Sequence, residues 1–252
     1  QPADACEALT GTLRLLGGDH EDIQVGDDAA FFCAPASEPG LQQVLARHPD
    51  ALIVAGATDA GLAFTKQVSE PTKVIWLGRI AGLDSIVRDD RRLVLGATAT
   101  HARAHPYLAA ISPDIGEIVR RFGSVQVRNS GTIGGNIANA SPIGDLAPCL
   151  IALGATLEMG SASGLRTLPL EDYFLAYGRQ DRRPGEYVRR LIVPRIRSRW
   201  RDTRGLTVMG LGYALPFLAS FRAEAQRLGA LMPAQQGGVR WPADGPCRSV
   251  MV

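Results

Sequence analysis

The run from Phe122 to Asp145 reads FGSVQVRNSGTIGGNIANASPIGD. Gly123, Gly131, Gly134, Gly135 and Gly144 sit in it among Ser124, Asn129, Ser130, Thr132, Asn136, Asn139 and Ser141, and no charged side chain falls between Arg128 and Asp145. Such a segment exposes backbone N–H groups and short hydroxyl and amide side chains. It suits close approach of the backbone to a large polar ligand bearing phosphate and carbonyl oxygens. Leu146, Ala147, Leu150, Ile151 and Leu153 follow at helical spacing, which predicts a ligand loop held rigid by a packed helix.

A second candidate lies upstream. Ala51 to Ala55 reads as a buried strand, and it runs into Gly56-Ala57-Thr58-Asp59-Ala60-Gly61. A strand feeding a glycine-flanked loop is a common phosphate cradle. It is not a P-loop, because Leu62 and Ala63 stand where Lys and Ser/Thr are needed. It is not the dinucleotide fingerprint either, since Thr58 replaces the second glycine. Taken alone, the loop is equally a ligand cradle or a structural turn.

Composition bounds the rest. The chain has 252 residues, 46% hydrophobic and 21% charged, enough for one large domain or two lobes. Net charge is +2 but uneven: from Arg195 onward there are nine Arg against Asp202, Glu224 and Asp244, and the first 194 residues carry 18 basic and 22 acidic side chains. That mildly acidic body does not ask for nucleic acid. Cys6, Cys33, Cys149 and Cys247 are widely separated, so neither zinc nor an iron–sulfur cluster is indicated, and free thiols suit a cytoplasmic setting. The longest apolar run, 206–219, contains Pro216 and is shorter than the roughly 20 residues of a membrane span.

Along the chain the pattern is mixed. A short helix is predicted over Leu9 to Leu16, a strand pair around Gly26-Asp27-Asp28, a helix from Pro39 to Arg47, and a strand from Lys73 to Leu77. A hairpin is predicted around Asp89-Asp90. Thr100 is a plausible N-cap for a helix over His101 to Ala110, and Pro113 opens another through Arg121. His101 and His105 have zincin spacing without its glutamate, and a solvated helix face is the simpler reading. A helix over Asp145 to Leu153, strands near 155–159 and 165–168, and an edge strand from Glu186 to Pro194 complete an α/β (α+β) fold with two lobes. The two glycine-bearing loops are expected to face each other across a cleft.

At these residues the chain resembles a family. Leu52 to Leu62 and Ser130 to Asp145 look like the FAD domain of the molybdenum hydroxylases, nearest to the small-subunit type of the bacterial xanthine dehydrogenases. Ile75 to Ile80, Gly96 to His101 and Glu171 to Gly178 support the likeness, which covers roughly residues 10–195. It implies the two-lobed FAD-binding fold of the PCMH type, with lobes at 1–125 and 126–195. It also implies a role: electrons from a molybdenum cofactor in a large partner subunit pass through [2Fe-2S] clusters to FAD, which reduces NAD during purine oxidation. Carbon monoxide, nicotinate and aldehyde types share the same FAD motifs.

The resemblance assigns FAD contacts residue by residue. Leu52, Ile53, Val54, Ala55, Gly56, Ala57, Thr58, Asp59 and Gly61 would bind the diphosphate through backbone N–H groups. Thr132, Gly134, Gly135 and Asn136 would continue that binding, and Asp145 would hold the adenosine end. Phe122 would pack beside the isoalloxazine, and Val188 would line the ring pocket. No acid–base or nucleophilic residue is expected, because flavin chemistry asks the protein for placement and electrostatics.

Two departures from the family pattern stand out. The small-subunit type places a cysteine-rich iron–sulfur domain ahead of the flavin domain, and this chain begins about where that domain would end. After Pro194-Arg195 the likeness stops, and Ile196 to Arg204 opens an Arg-rich segment, 196–252, in place of a third sub-lobe. That segment is either an out-of-frame translation or a basic tail that docks an acidic partner. A chain lacking the closing sub-lobe could also be a fragment that binds no flavin.

Overall fold

The computed structural model describes residues 21–65, 71–141, 144–176, 179–194, 202–211, 218, 221–231 and 249–251. The helix expected over Leu9 to Leu16, Ile196 to Arg201, Cys6 and Cys247 lie outside them, as does part of the apolar run at 206–219.

The first lobe is built on a four-stranded sheet in the order β1 (Ile23–Gly26), β2 (Phe31–Ala34), β4 (Lys73–Trp76), β3 (Leu52–Val54). β1 and β2 form the expected antiparallel hairpin, and β2, β4 and β3 run parallel. Asp27 closes the hairpin turn by accepting from the N–H groups of Ala29 and Ala30 at 2.9 and 3.0 Å, while Gly26 takes the left-handed φ of 103° that the turn requires. The helix Glu38–Arg47 starts where Ser37 Oγ accepts from Gly40 N at 3.2 Å. Its inner face, Leu41, Val44 and Leu45, joins Phe31, Cys33, Ile75, Leu77 and Ile80 in one core. β3 is short and lies at the sheet edge, with Leu52 and Ile53 half-buried.

The second lobe carries a five-stranded antiparallel sheet, β5 (Ile86–Arg88), β6 (Arg92–Gly96), β11 (Tyr187–Pro194), β7 (Thr156–Ser161), β8 (Gly164–Pro169). Helices His101–Ala109, Pro113–Arg121, Ile133–Asn139 and Leu146–Ala152 cover one face of it. Their buried residues Ala104, Leu108, Ile115, Val119, Ile133, Ile137, Leu146 and Leu150 meet Leu93, Leu95, Leu157, Leu191 and Val193 of the sheet. Thr100 caps its helix as expected, accepting from Arg103 N at 3.3 Å. A two-stranded ladder, β9 (Phe174–Ala176) with β10 (Arg179–Gln180), leads into the connection before β11.

Two expectations need correction. Glu186 to Pro194 is not an edge: β11 is the central strand. Its exposed-looking pair Arg189 and Arg190 is paid off in carboxylates, because Arg189 forks Glu38 at 2.6 and 2.7 Å and both arginines reach Glu158 at 2.6 Å. The stretch after Phe122 is not an open loop. It folds into helices Val125–Ser130 and Ile133–Asn139, each started by a side-chain cap, Ser124 and Thr132. The two core clusters divide near Leu83, since 86–96 and 101–121 contribute to the second. Beyond β11, strands Thr207–Leu211, Arg227–Leu231 and Ser249–Met251 form a small parallel sheet.

One strand ties the lobes together. The register of β11 against β7 slips at Arg189, a bulge that re-aims the side chain. Tyr187, just before it, is buried in the first lobe's core. Its hydroxyl donates to Glu38 Oε2 at 2.7 Å. The ring crosses β7 at Gly160, where a Cβ would lie 2.5 Å from the phenol ring.

Candidate functional site

The two glycine-bearing bends touch. A Cβ on Gly56 would lie 1.9 Å from the Ser130 carbonyl oxygen and 3.0 Å from Gly131 Cα. Gly131 in turn faces Thr58, whose hydroxyl would be 3.2 Å from a Cβ there. Only glycine lets the backbones approach so closely. The bends form opposite walls of a cleft of about 720 Å³, within the range usual for small-ligand and cofactor sites.

The first wall comes from β3. Trp76 Nε1 donates to the Ala55 carbonyl at 3.0 Å and pins the strand end. Ala57 then turns left-handed, with φ of 56°, a conformation that costs a non-glycine residue on the order of 1 kcal/mol. Among the described residues, the N–H groups of Ala57, Thr58, Asp59 and Ala60 donate to no acceptor, whereas Gly61 and Leu62 close the loop on Ala57 and Asp59. A left-handed residue among free N–H groups makes a concave donor set suited to an anion.

The second wall is different. The start of the Ile133–Asn139 helix is already satisfied: Ile133 N reaches Ala99 O and Gly134 N reaches Ala97 O, both at 2.9 Å. Gly135 N meets Thr132 Oγ1 at 3.1 Å, and Asn136 N meets Thr132 O at 3.0 Å. These N–H groups hold the fold, so what this wall offers a ligand is side chains and bare backbone. Gly134 is needed for packing, because a Cβ would sit 2.5 Å from that of Ala97. Gly135 is exposed and meets only Thr132 Oγ1, at 2.8 Å. Asn136 Oδ1 is buried with no partner among the described residues.

Of the residues singled out from sequence, Leu52, Ile53, Ala55, Gly56, Ala57, Thr58, Asp59, Phe122, Thr132, Gly134, Gly135, Asn136 and Val188 all line the cleft. Val54 is buried beneath it, its carbonyl accepting from Leu77 N at 2.9 Å. Gly61 begins the helix Gly61–Thr65, and Asp145 is exposed, one residue past the lining Gly144.

The structure adds residues that the sequence reading did not place in the site. His101 lines the cleft with only 2% of its surface exposed, so it is not on a solvated helix face. Its ring stacks on Phe122 with centroids 4.3 Å apart, and Nδ1 has no partner among the described residues. Burial holds its pKa down at about 4, so the imidazole is neutral near pH 7. Phe122 is fixed from behind, where Arg128 Nη1 donates to the Phe122 and Gly123 carbonyls at 3.0 and 2.8 Å. Gln180 and Arg182 also line the cleft. No periodicity marks them; they lie in the connection between Gly178 and Gly185.

The donor set at 57–60, the orphaned polar atoms of His101 and Asn136, and the apolar flank of Leu52, Ile53, Phe122 and Val188 together fit an elongated group with a diphosphate and a flat ring. Among the described residues, no group of three His, Cys, Asp or Glu could hold a metal ion, and no helix is long and apolar enough to cross a membrane.

Known proteins resemble this chain in sequence and fold. Residues 26–196 match the family model described as the FAD binding domain in molybdopterin dehydrogenase. The nicotinate dehydrogenase FAD-subunit of Eubacterium barkeri is 30% identical over 151 residues, which are 58% of this chain and 51% of that one. A xanthine dehydrogenase of Oryza sativa subsp. japonica is 29% identical over 169 residues, 61% of this chain and 12% of the relative. Among solved structures, quinoline 2-oxidoreductase from Pseudomonas putida 86 superposes with a TM-score of 0.61 and 30% identity, covering 64% of this chain and 57% of that one. The chain thus spans little more than half of these relatives, or less.

Proposed function

The chain belongs to the family of FAD-binding domains of the molybdopterin dehydrogenases, and from that membership we propose that the cleft is its FAD site and that the chain is the flavin relay of a molybdenum hydroxylase. The observation that carries the reading is the convergence of the Gly56 and Ser130–Gly131 bends on one cleft. FAD, when bound, supplies hydride and one-electron chemistry that no side chain provides.

The chain's own residues bind and orient. The free N–H groups of Ala57 to Ala60 receive diphosphate oxygens. Thr132 and Asn136 contribute side-chain contacts, and Gly135 lets the ligand lie against the backbone. Leu52, Ile53 and Val188 form an apolar wall that excludes water from the ring. Phe122, backed by His101, packs beside the ring. Asp145 serves the adenosine end from just outside the lining. Val54, buried beneath the cleft, and Gly61, at the start of the next helix, complete the loop assigned to the diphosphate.

The relay reading brings partners: a large subunit bearing the molybdenum cofactor, [2Fe-2S] clusters as electron donors, and NAD as acceptor, in the cytoplasm. Within the class we favour purine oxidation of the xanthine dehydrogenase type, from the likeness of the Gly178–Gly185 connection. Near-equal identity to nicotinate and xanthine enzymes keeps the nicotinate, carbon monoxide and aldehyde types as alternatives, because the substrate is met in another subunit.

Titration of the purified chain with FAD, followed by flavin fluorescence and visible absorbance, tests the reading. Quenched fluorescence and a perturbed flavin spectrum are expected. A chain that neither carries flavin nor alters its spectrum would instead be a fragment without the cofactor.

A further inference from the structure

We propose that Arg182 binds a phosphate group of the nucleotide held in the cleft. The inference rests on the flavin reading above and deepens it, by naming a charged contact that the backbone cradle lacks.

Among the described residues, the ionisable side chains lining the cleft are Asp50, Asp59, His101, Arg182 and Tyr187. Tyr187 is engaged with Glu38 and His101 is buried, so Arg182 is the cation of the lining. Asp50 is paired with Lys73 at 3.3 Å, so a diphosphate that met only backbone N–H groups and Asp59 would enter a site of the wrong sign. Arg182 offsets this. A guanidinium matches phosphate geometry with two parallel donors, and such charge-assisted bonds are about twice as strong as neutral ones.

The arginine is both presented and left available. Its loop is stapled to the sheet by Arg166, which donates to Asp181 Oδ2 at 2.7 Å, to the Asp181 carbonyl at 2.8 Å, and to both Glu186 oxygens at 2.9 and 2.7 Å. Arg183 N adds a bond to Glu186 Oε2 at 2.8 Å. Gln180 Nε2 ties the near end to the Ala138 carbonyl at 3.1 Å. Arg166 therefore takes both carboxylates of the loop. Arg182 is left with a single hydrogen bond among the described residues, Nη1 to the Glu186 carbonyl at 3.3 Å, and no carboxylate partner. A cation on a braced loop, facing a cleft and with no carboxylate partner among the described residues, is set up for an external anion.

The test uses the full chain and three ligands: FAD, riboflavin, which lacks phosphate, and inorganic pyrophosphate. Arg182→Gln is expected to weaken FAD roughly 10- to 100-fold and to leave riboflavin unchanged, with Arg182→Lys in between. The side chain is exposed, and circular dichroism checks that each variant is folded. Equal weakening of FAD and riboflavin, or no weakening of either, overturns the proposal. If the wild type binds no flavin, the flavin reading falls separately. Calorimetry with pyrophosphate then decides Arg182 by itself, since an affinity indifferent to Arg182→Gln would rule out a phosphate subsite there.

Discussion

Gly56 and His101 show what single residues do at this site. At Gly56 even a methyl group collides with a backbone carbonyl at 1.9 Å, and a carbonyl cannot rotate aside as a side chain could. Gly56→Ala should therefore lower stability by about 1–3 kcal/mol, the usual cost of overpacking, and weaken FAD by parting the two walls. Urea unfolding with parallel FAD titration checks both, and wild-type values for the two would contradict the packing argument. Sequence reveals a glycine after a strand at this position, but its partner lies over seventy residues away, so the reason for the glycine was not legible.

His101 carries a pH signature. In the unfolded chain its pKa is near 6.5, and in the folded chain burial holds it at about 4. Above pH 6.5 it is neutral in both states and adds no pH dependence. As pH falls from 6.5 to 4 the unfolded chain takes up a proton that the folded chain refuses, and stability drops by about 3 kcal/mol. Carboxylates titrate in the lower part of this window, so the comparison must be with His101→Gln, which lacks the group. The stability of wild type relative to His101→Gln should fall by that amount between pH 7 and pH 4. A constant difference would mean that the imidazole is solvated. The four-residue spacing to His105 suggested either a metal pair or a wet helix face; the tertiary contact with Phe122 overrules both for His101.

Among the elements, β11 and the helices that follow Phe122 were the hardest to read. β11 alternates, but two adjacent arginines in it argue for an edge. Its central place depends on Glu38, which opens a helix some 150 residues earlier. By contrast the cap at Thr100 and the hairpin at Asp89-Asp90 were legible, because their causes are local. Glycine-rich Ile133–Asn139 has poor intrinsic helix propensity and is helical through its Thr132 cap and its seat on Ala97. Glu38 is the interlobe clamp. The Arg189 fork is the main cause holding its carboxyl below the ordinary range, so the stability it contributes is present above pH 4.5 and is lost as pH falls through its lowered native pKa. Glu38→Gln removes the charge from three short hydrogen bonds, and both partners are only about one-fifth exposed. A loss of about 2 kcal/mol is expected, measured by urea unfolding at pH 7. A change within 0.5 kcal/mol, the scatter of neutral surface substitutions, would show that the clamp is idle.

For the molecule as a whole, two cores meet at a cleft that takes its walls from both. The likeness of 52–62 and 130–145 to one family made the pairing of the lobes foreseeable, whereas the division near Leu83 was hidden because helices 101–121 look the same whichever sheet they cover. A ligand that touches both walls must stabilise the assembled pair over either lobe alone. At a hundred times its Kd it contributes about 2.7 kcal/mol, which for a chain of this size raises Tm by about 5–11 °C. The coupling is sharper in Glu38→Gln. With the clamp weakened, the two lobes should unfold in separate steps, seen as non-coincident transitions by tryptophan fluorescence and far-UV circular dichroism. Saturating FAD should bring those transitions back together, because the cofactor then bridges what Glu38 no longer holds. If FAD shifts one transition and leaves the other where it was, the ligand rests on one wall alone, and the cleft is not shared.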